Sequence, residues 1–585
     1  MSNSISNQQN NSLANATKSK KISFFSGVTI AIGSSIGAGI FFRAQSVLEN
    51  SQNSMIFAIF CWIFAAFSVI AMALALIEIS SGRNDNLSII GWCQTFNGRY
   101  VYKSCKNFMA YIYVPLTYFF MPLYSILSIQ DGVSSFYEGY NGLGTQVDWM
   151  IMMVLSLVIS VYFIVIAGVS VRIGNIQNLI ISFVKFIPLV FAIIIGFVVF
   201  YNNGSKPTNP NINNFEFKLP EDIDIAKKFS FTNLSPGFGM FISIGAIYFA
   251  YDGFYYAAGI QSEMKQPKKT PLAILVGLSF VTVVYLIMAV AMSLGSTDGS
   301  PSGLEKFLKD HNLIPVYAAF QIAIGIGVLG IVNGLSLWAN RFMEDLVKLN
   351  ELPFSMKFIN QIREDKAIVG LKYNLVIAIP VIIIASLIGG LGYIDSNYLD
   401  SKYGTGVGKI YSFSDLMGNW TSVIAFSYIV IAIIGGLINR KKNTVKVDKF
   451  KYFIPSAICA VVVMIVAVAL TFLQPIGDLI LLYKIPYSKE TEKVYISRIM
   501  LVIVLVLYLL IMFLPIVIED KKMIKKYGSI EKSEIAKLRI KAEVKKTSFK
   551  SELLAYVEML KRNKLSKEFE LALQEVQEAN QTVSS

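Results

Sequence analysis

Apolar residues along this chain come in blocks of about twenty, set apart by polar connections. A helix needs roughly 20 apolar residues to cross the ~30 Å hydrocarbon core of a bilayer. The blocks predict spans at about 25–46, 54–79, 108–130, 149–168, 176–200, 236–260, 272–294, 313–338, 373–393, 416–438, 452–473 and 496–518. The predicted fold class is an all-α integral membrane protein of about twelve transmembrane helices. Residues 1–21 are polar and Asn/Ser-rich, without the apolar stretch of a signal peptide, and read as a disordered cytoplasmic N-terminus. Residues 22–519 form the transmembrane domain, in which 201–235 is a polar external cap. Residues 520–585 form a basic, helical, cytoplasmic tail, with helical spacing at Leu553, Leu554, Val557 and Leu560. The tail is either a solvated appendage or a regulatory or lipid-surface element, since Lys521, Lys522, Lys525 and Lys526 follow the last span directly.

Composition agrees with the pattern. Of 585 residues, 54% are hydrophobic and only 15% charged, too few to cover a soluble protein of this size. The net charge of +14 raises nucleic acid as a partner, but its distribution argues against it. Basic residues gather in the even-numbered connections: Arg83, Arg99, Lys103 and Lys106; Arg172; Lys265, Lys268 and Lys269; Arg341 to Lys366; Arg440 to Lys451. Connections 47–53 and 131–148 hold no lysine or arginine. This is the positive-inside pattern, and it puts both termini in the cytoplasm. The partner expected from the pattern is a lipid bilayer, with no nucleic acid; a homo-oligomer is left open. Cys61, Cys93, Cys105 and Cys459 are not placed for an extracellular disulfide. With His311 as the only histidine, a metal cluster or a histidine-based triad has almost nothing to work with. No metal, cofactor or enzymatic activity is expected.

Two spans are interrupted. Span 1 carries Gly33-Ser34-Ser35-Ile36-Gly37-Ala38-Gly39 near its middle. Glycine costs a helix about 1 kcal/mol per position, so unwinding here is cheap. Unwound backbone at membrane depth is tolerated where it is buried in protein or lines a cavity. Its freed amides suit an anion such as a carboxylate. The competing reading is close packing through the Gly33-x-x-x-Gly37 pair. Span 6 carries Phe249-Ala250-Tyr251-Asp252-Gly253-Phe254, and an aspartate beside a glycine in a membrane span needs a reason. Two interrupted spans five apart point to a transporter site at the interface of two halves. The arrangement matches a five-plus-five inverted repeat with broken helices 1 and 6 and two extra helices. Lys185 lies ten residues into span 5 from Asn175, or roughly 15 Å of helix, too deep for easy snorkelling. Burial makes an amine easier to deprotonate. Lys185 therefore reads either as a proton carrier or as a fixed charge holding spans together.

The run Gly33 to Phe41 resembles the first-span signature of the amino acid–polyamine–organocation superfamily, as does Phe249 to Phe254 in span 6. The loop Glu263 to Pro271, the Asn333-Gly334, Arg341 and Leu352-Pro353 group, and Glu78-Ile79 are similar to further motifs of that family in the same order. Tyr255 stands where the family has glutamate, and Arg83-Asn84-Asp85-Asn86 where it has a proline and a glycine pair, which leaves subgroup and substrate open. The resemblance implies a leucine-transporter-like permease of the plasma membrane, with an amino acid and a proton as partners. Its implied substrate site comprises Ser34, Ser35, Ile36, Gly37, Ala38 and Gly39 with Phe249, Ala250, Tyr251 and Asp252, the ammonium held by carbonyls near 249–251 and Phe249 as a lid. It also implies Lys185 as the proton-coupling residue, against the break in span 1. Exchange of amino acids or polyamines, and sensing without transport, remain alternatives. Structural readings stand beside these. Thr270-Pro271 suits an N-cap and first helical turn, Asp252 suits a cap on the second half of span 6, and Glu78 and Arg341 suit either snorkelling or inner-gate pairing.

Overall fold

The computed structural model describes residues 23–584 apart from 38, 84–86, 138–141, 213–224, 256–263, 364–365, 394–397, 399 and 561–565. Its regular structure is helical among these residues. Among the described residues ten helices are long and apolar enough to cross a membrane, and two shorter apolar ones, 24–33 and 237–251, belong to spans 1 and 6. Span 1 is α1 (Phe24–Ser35) followed by α2 (Gly39–Asn50). Span 2 is α3 (Met55–Gly82), and a short α4 (Ile89–Phe96) precedes span 3, α5 (Arg99–Ser134). Span 4 is α6 (Asp148–Val169), and span 5 is α7 (Val171–Val184) and α8 (Phe186–Asn202), which meet at Lys185. Pro188 lacks the N–H that would bond the Val184 carbonyl, which accounts for the interruption at Lys185. The first half of span 6 is α9 (Pro236–Tyr251), and span 7 is α10 (Thr270–Gly295). Spans 8 to 12 are α11 (Ile314–Lys348), α12 (Ile368–Gly392), α13 (Val407–Lys442), α14 (Phe453–Ile480) and α15 (Glu492–Tyr527).

Several helices run past their apolar blocks. Arg99, Lys103 and Lys106, expected in a connection, lie in the first turns of α5. Arg172 lies in the first turn of α7, which Ser170 caps. α13 begins at Val407, nine residues before the expected start of span 10 at 416, and α11 runs ten residues past the expected end of span 8 at 338. Helices continue beyond the hydrocarbon wherever helical propensity and contacts allow, and hydropathy is blind to that extension. Thr270 is itself the first helical residue, after Lys269, and its hydroxyl caps nothing.

α1 packs on α10, and α2 packs on α9. α5 runs through the centre against α6, α11, α12 and α13, with Phe108, Tyr118, Phe119 and Tyr124 fully enclosed. The outward faces of α3, α7, α14 and α15 instead expose Phe60, Phe67, Leu179, Phe183, Val462, Ile465 and Ile503, the belt expected of a surface solvated by lipid.

One end of the bundle is tied by charge. Glu78 at the end of α3 takes a bidentate pair from Arg440 at the end of α13 (2.6 and 2.5 Å). Arg341 turns instead to Glu344 on its own helix and to the Arg363 carbonyl. At the same end the chain beyond residue 527 folds as α16 (Ile530–Lys545), α17 (Phe549–Leu560) and α18 (Lys567–Ser584), around a small core of Leu538, Leu553, Phe569 and Ala572. Arg99 of α5 holds α16 to the bundle through Glu534 (2.8 Å) and also pairs with Asp520 of α15 (3.0 Å). Lys103 pairs with Glu351, just past α11, and with Glu519 at 3.2 Å.

Candidate functional site

The break in span 1 follows from its sequence. Ile36 leaves the helix with an extended conformation (φ −77°, ψ 104°), its amide still bonded to Ile32 O, and α2 resumes at Gly39. Among the described residues, a Cβ on Gly33 would meet nothing within 4 Å, and one on Gly37 would touch only Ile331 Cδ1 at 3.4 Å and the Gly39 amide nitrogen at 4.0 Å. The Gly33-x-x-x-Gly37 pair therefore makes no close helix–helix backbone contact among the described residues. Close packing falls on Gly39, whose Cβ would sit 2.5 Å from Ala250 Cα. Gly39 is the point where α2 crosses the end of α9, so the two interrupted spans touch.

The break in span 6 has its own cause. α9 ends at Tyr251, Asp252 turns out of the helix (φ −58°, ψ 134°) and Gly253 adopts φ +102°, which a side chain would strain. Phe254 N–H then bonds Tyr251 O at 3.2 Å. The Asp252 carboxylate accepts from Tyr113 Oη at 2.7 Å. Tyr113 closes a π-helical stretch, Met109–Tyr113, inside α5. Such bulges re-aim side chains and gather at functional sites.

Three residues bind the breaks to the scaffold. Lys185 Nζ donates to Gly33 O at 2.8 Å and to Ile36 O at 2.9 Å. Those carbonyls are left without helical partners where α1 ends, and a cation is the favoured ligand of a helix C-terminus. Tyr285 on α10 reaches both breaks: its hydroxyl lies 2.9 Å from Ser35 O and 3.1 Å from Ala250 O, and it accepts from Gly37 N–H at 3.3 Å. Arg43, on α2, is wholly buried and pairs with Asp415 of α13 at 2.6 Å. Its guanidinium lies over the Phe249 ring, 4.3 Å from the centroid. Phe249 thus sits under an ion pair between spans 1 and 10, with Phe120 and Tyr124 of α5 edge-on at 5.7 and 5.9 Å.

The structure therefore assembles Ser35, Ile36, Gly37, Gly39, Phe249, Ala250, Tyr251, Asp252 and Lys185 in one place. Ser34 lies within the last turn of α1, and Ala38 falls outside the described residues. Sequence reasoning missed Tyr113, Tyr285, Arg43 and Asp415. Arg43 had a signal: it is a charge within an apolar block, the criterion that singled out Lys185. Asp415 fell one residue outside the expected span 10, and Tyr113 and Tyr285 look like ordinary span tyrosines.

Known proteins resemble the chain along most of its length. The profile of a family described as amino acid permease matches residues 22–496. An uncharacterized protein of Mycoplasma pneumoniae is 44% identical over 545 residues, covering 87% of this chain and 96% of that protein. The serine/threonine exchanger SteT of Bacillus subtilis is 23% identical over 349 residues, covering 58% of this chain and 70% of its own. Among solved structures, MhsT in complex with L-phenylalanine superposes with a TM-score of 0.44 at 15% identity, over 78% of this chain and 97% of that one.

Proposed function

The chain belongs to the amino acid permease family, and from that membership we propose that it takes an amino acid up across the plasma membrane together with a proton. The substrate lies between the two breaks. Its carboxylate meets amides of 37–39, its ammonium meets carbonyls near 249–251, and both chain termini face the cytoplasm, following the distribution of lysine and arginine. Lys185 lies at the edge of the site, and the observation that carries the proton reading is its pair of bonds to Gly33 O (2.8 Å) and Ile36 O (2.9 Å). An ammonium holds both carbonyls at once, whereas a neutral amine has one lone pair and two hydrogens and holds them less firmly. Protonation of Lys185 therefore fixes the end of α1, and loss of the proton loosens it, which couples the break to pH.

Uptake of labelled amino acids into proteoliposomes tests this, with and without an inward pH gradient. Wild type accumulates substrate only with the gradient. Lys185→Ala binds substrate but no longer accumulates it, and Lys185→Arg, which stays charged, also fails to couple. Accumulation by Lys185→Ala with wild-type pH dependence would overturn the proton role. A second reading, exchange of one amino acid for another, is favoured by the similarity to a serine/threonine exchanger. In that case Lys185 is a static charge, and counterflow proceeds at equal rates with and without the gradient.

A further inference from the structure

Tyr285 is fully buried on α10, its ring held edge-on by Trp62 of α3 (6.0 Å) and by Tyr251 (5.2 Å), whose own hydroxyl donates to Thr282 Oγ1 at 2.9 Å. So gripped, the ring presents its hydroxyl to three main-chain groups: Gly37 N–H at 3.3 Å, Ser35 O at 2.9 Å and Ala250 O at 3.1 Å. One is an amide of the first break; the others are a carbonyl from each break. A phenol accepts as a carboxylate does and donates as an ammonium does, and being neutral it is cheaper to bury than either.

The geometry points to Tyr285 as a placeholder in the substrate site: its hydroxyl occupies main-chain groups that the amino acid's carboxylate and ammonium must take over, and so it sets affinity by competing with the substrate. The inference rests on the reading of the two breaks as the amino acid site. Because Trp62 and Tyr251 fix the ring, the exchange proceeds by the chain at 35–37 drawing off the hydroxyl as substrate enters, which links occupancy to the position of α1 relative to α10. The hydroxyl has one proton, so it serves the Gly37 amide and one of the two carbonyls at a time; without it these groups lose that partner until substrate arrives, and the substrate-free protein alone is destabilised. A residue that merely supports the bound substrate acts in the opposite direction.

Tyr285→Phe separates the two. Binding of tritiated L-serine, L-leucine, L-phenylalanine and L-arginine is measured on detergent-purified protein, and hydrogen exchange is followed in peptides spanning 33–37 and 249–252. A placeholder gives about three- to tenfold tighter binding of whichever amino acid the wild type binds, the scale of one neutral hydrogen bond. It also gives a lower melting temperature and faster exchange at both segments without substrate. Weaker or unchanged affinity overturns the proposal. Unchanged exchange overturns it independently of any substrate, because the hydroxyl would then not hold the breaks. If the wild type binds no amino acid while exchange in the variant is accelerated, the failure belongs to the transport reading, and competition with an amino acid falls with it.

Discussion

Arg43 and Asp415 form an ion pair of 2.6 Å that ties the second half of span 1 to span 10 over the ring of Phe249. Tyr124 and Tyr398 complete it: Arg43 Nη2 donates to Tyr124 Oη at 2.6 Å, and the two tyrosine hydroxyls donate to Asp415 at 2.8 and 3.1 Å. With the guanidinium fully enclosed, removal of its counter-charge is the damaging change. Asp415→Asn should cost about 3–5 kcal/mol, the range for a broken buried pair, and lower the melting temperature in detergent. It should also increase labelling of a cysteine introduced at Phe249 by a water-soluble maleimide. A variant that melts and labels like its Asp415 parent would show that the pair neither stabilises nor closes this end.

Gly37 stands beside the first break, its N–H bonded to Tyr285 Oη at 3.3 Å, and an added Cβ there would meet Ile331 Cδ1 at 3.4 Å. A leucine there puts bulk between the breaks, and the flexible end of the Ile331 side chain has to move aside for it. Gly37→Leu should insert and run as a monodisperse species but lose substrate binding by at least tenfold. Equilibrium binding checks this, and retained affinity would remove the first break from the site.

Asp252 accepts from Tyr113 at 2.7 Å at the end of α9. An asparagine keeps a carbonyl acceptor for that hydroxyl and caps about as well as aspartate. Asp252→Asn should therefore retain most uptake of neutral amino acids, within about threefold, as expected of a loss below one neutral hydrogen bond. Selective loss of arginine and lysine uptake would instead identify Asp252 as the partner of a cationic side chain.

Glu351, outside the spans, titrates far from its ordinary range. Burial alone would push the carboxyl up, but Lys103 and Lys106 outweigh it and hold the group down to about 2. A depressed carboxylate stabilises the fold above its unfolded value of about 4.3 and loses that contribution as pH falls through the folded value. Here the contribution, about 3 kcal/mol at neutral pH, should fade between roughly pH 4.5 and 2. Melting temperatures across that window test it. Glu351→Gln should be less stable at pH 7 and should close most of its gap to the parent near pH 2; a constant gap would exclude the linkage.

What the sequence determined by itself is local. Hydropathy counts transfer free energy residue by residue, so it located the spans, and glycine clustering located the two interruptions, because helix propensity acts within a turn or two. The same blindness to packing misplaced the ends of α5, α11 and α13, and left the choice at span 1 between unwinding and close contact undecided. Only tertiary structure settled that choice, by leaving Gly33 open and pressing Gly39 against Ala250. Only tertiary structure, too, brought Asp415 to Arg43 across 372 residues, and Tyr285 to Ser35 across 250. A buried charge announces that it needs a partner. Which residue answers depends on how α2, α5, α10 and α13 pack around the breaks, and that information is spread over side-chain shapes along the whole chain.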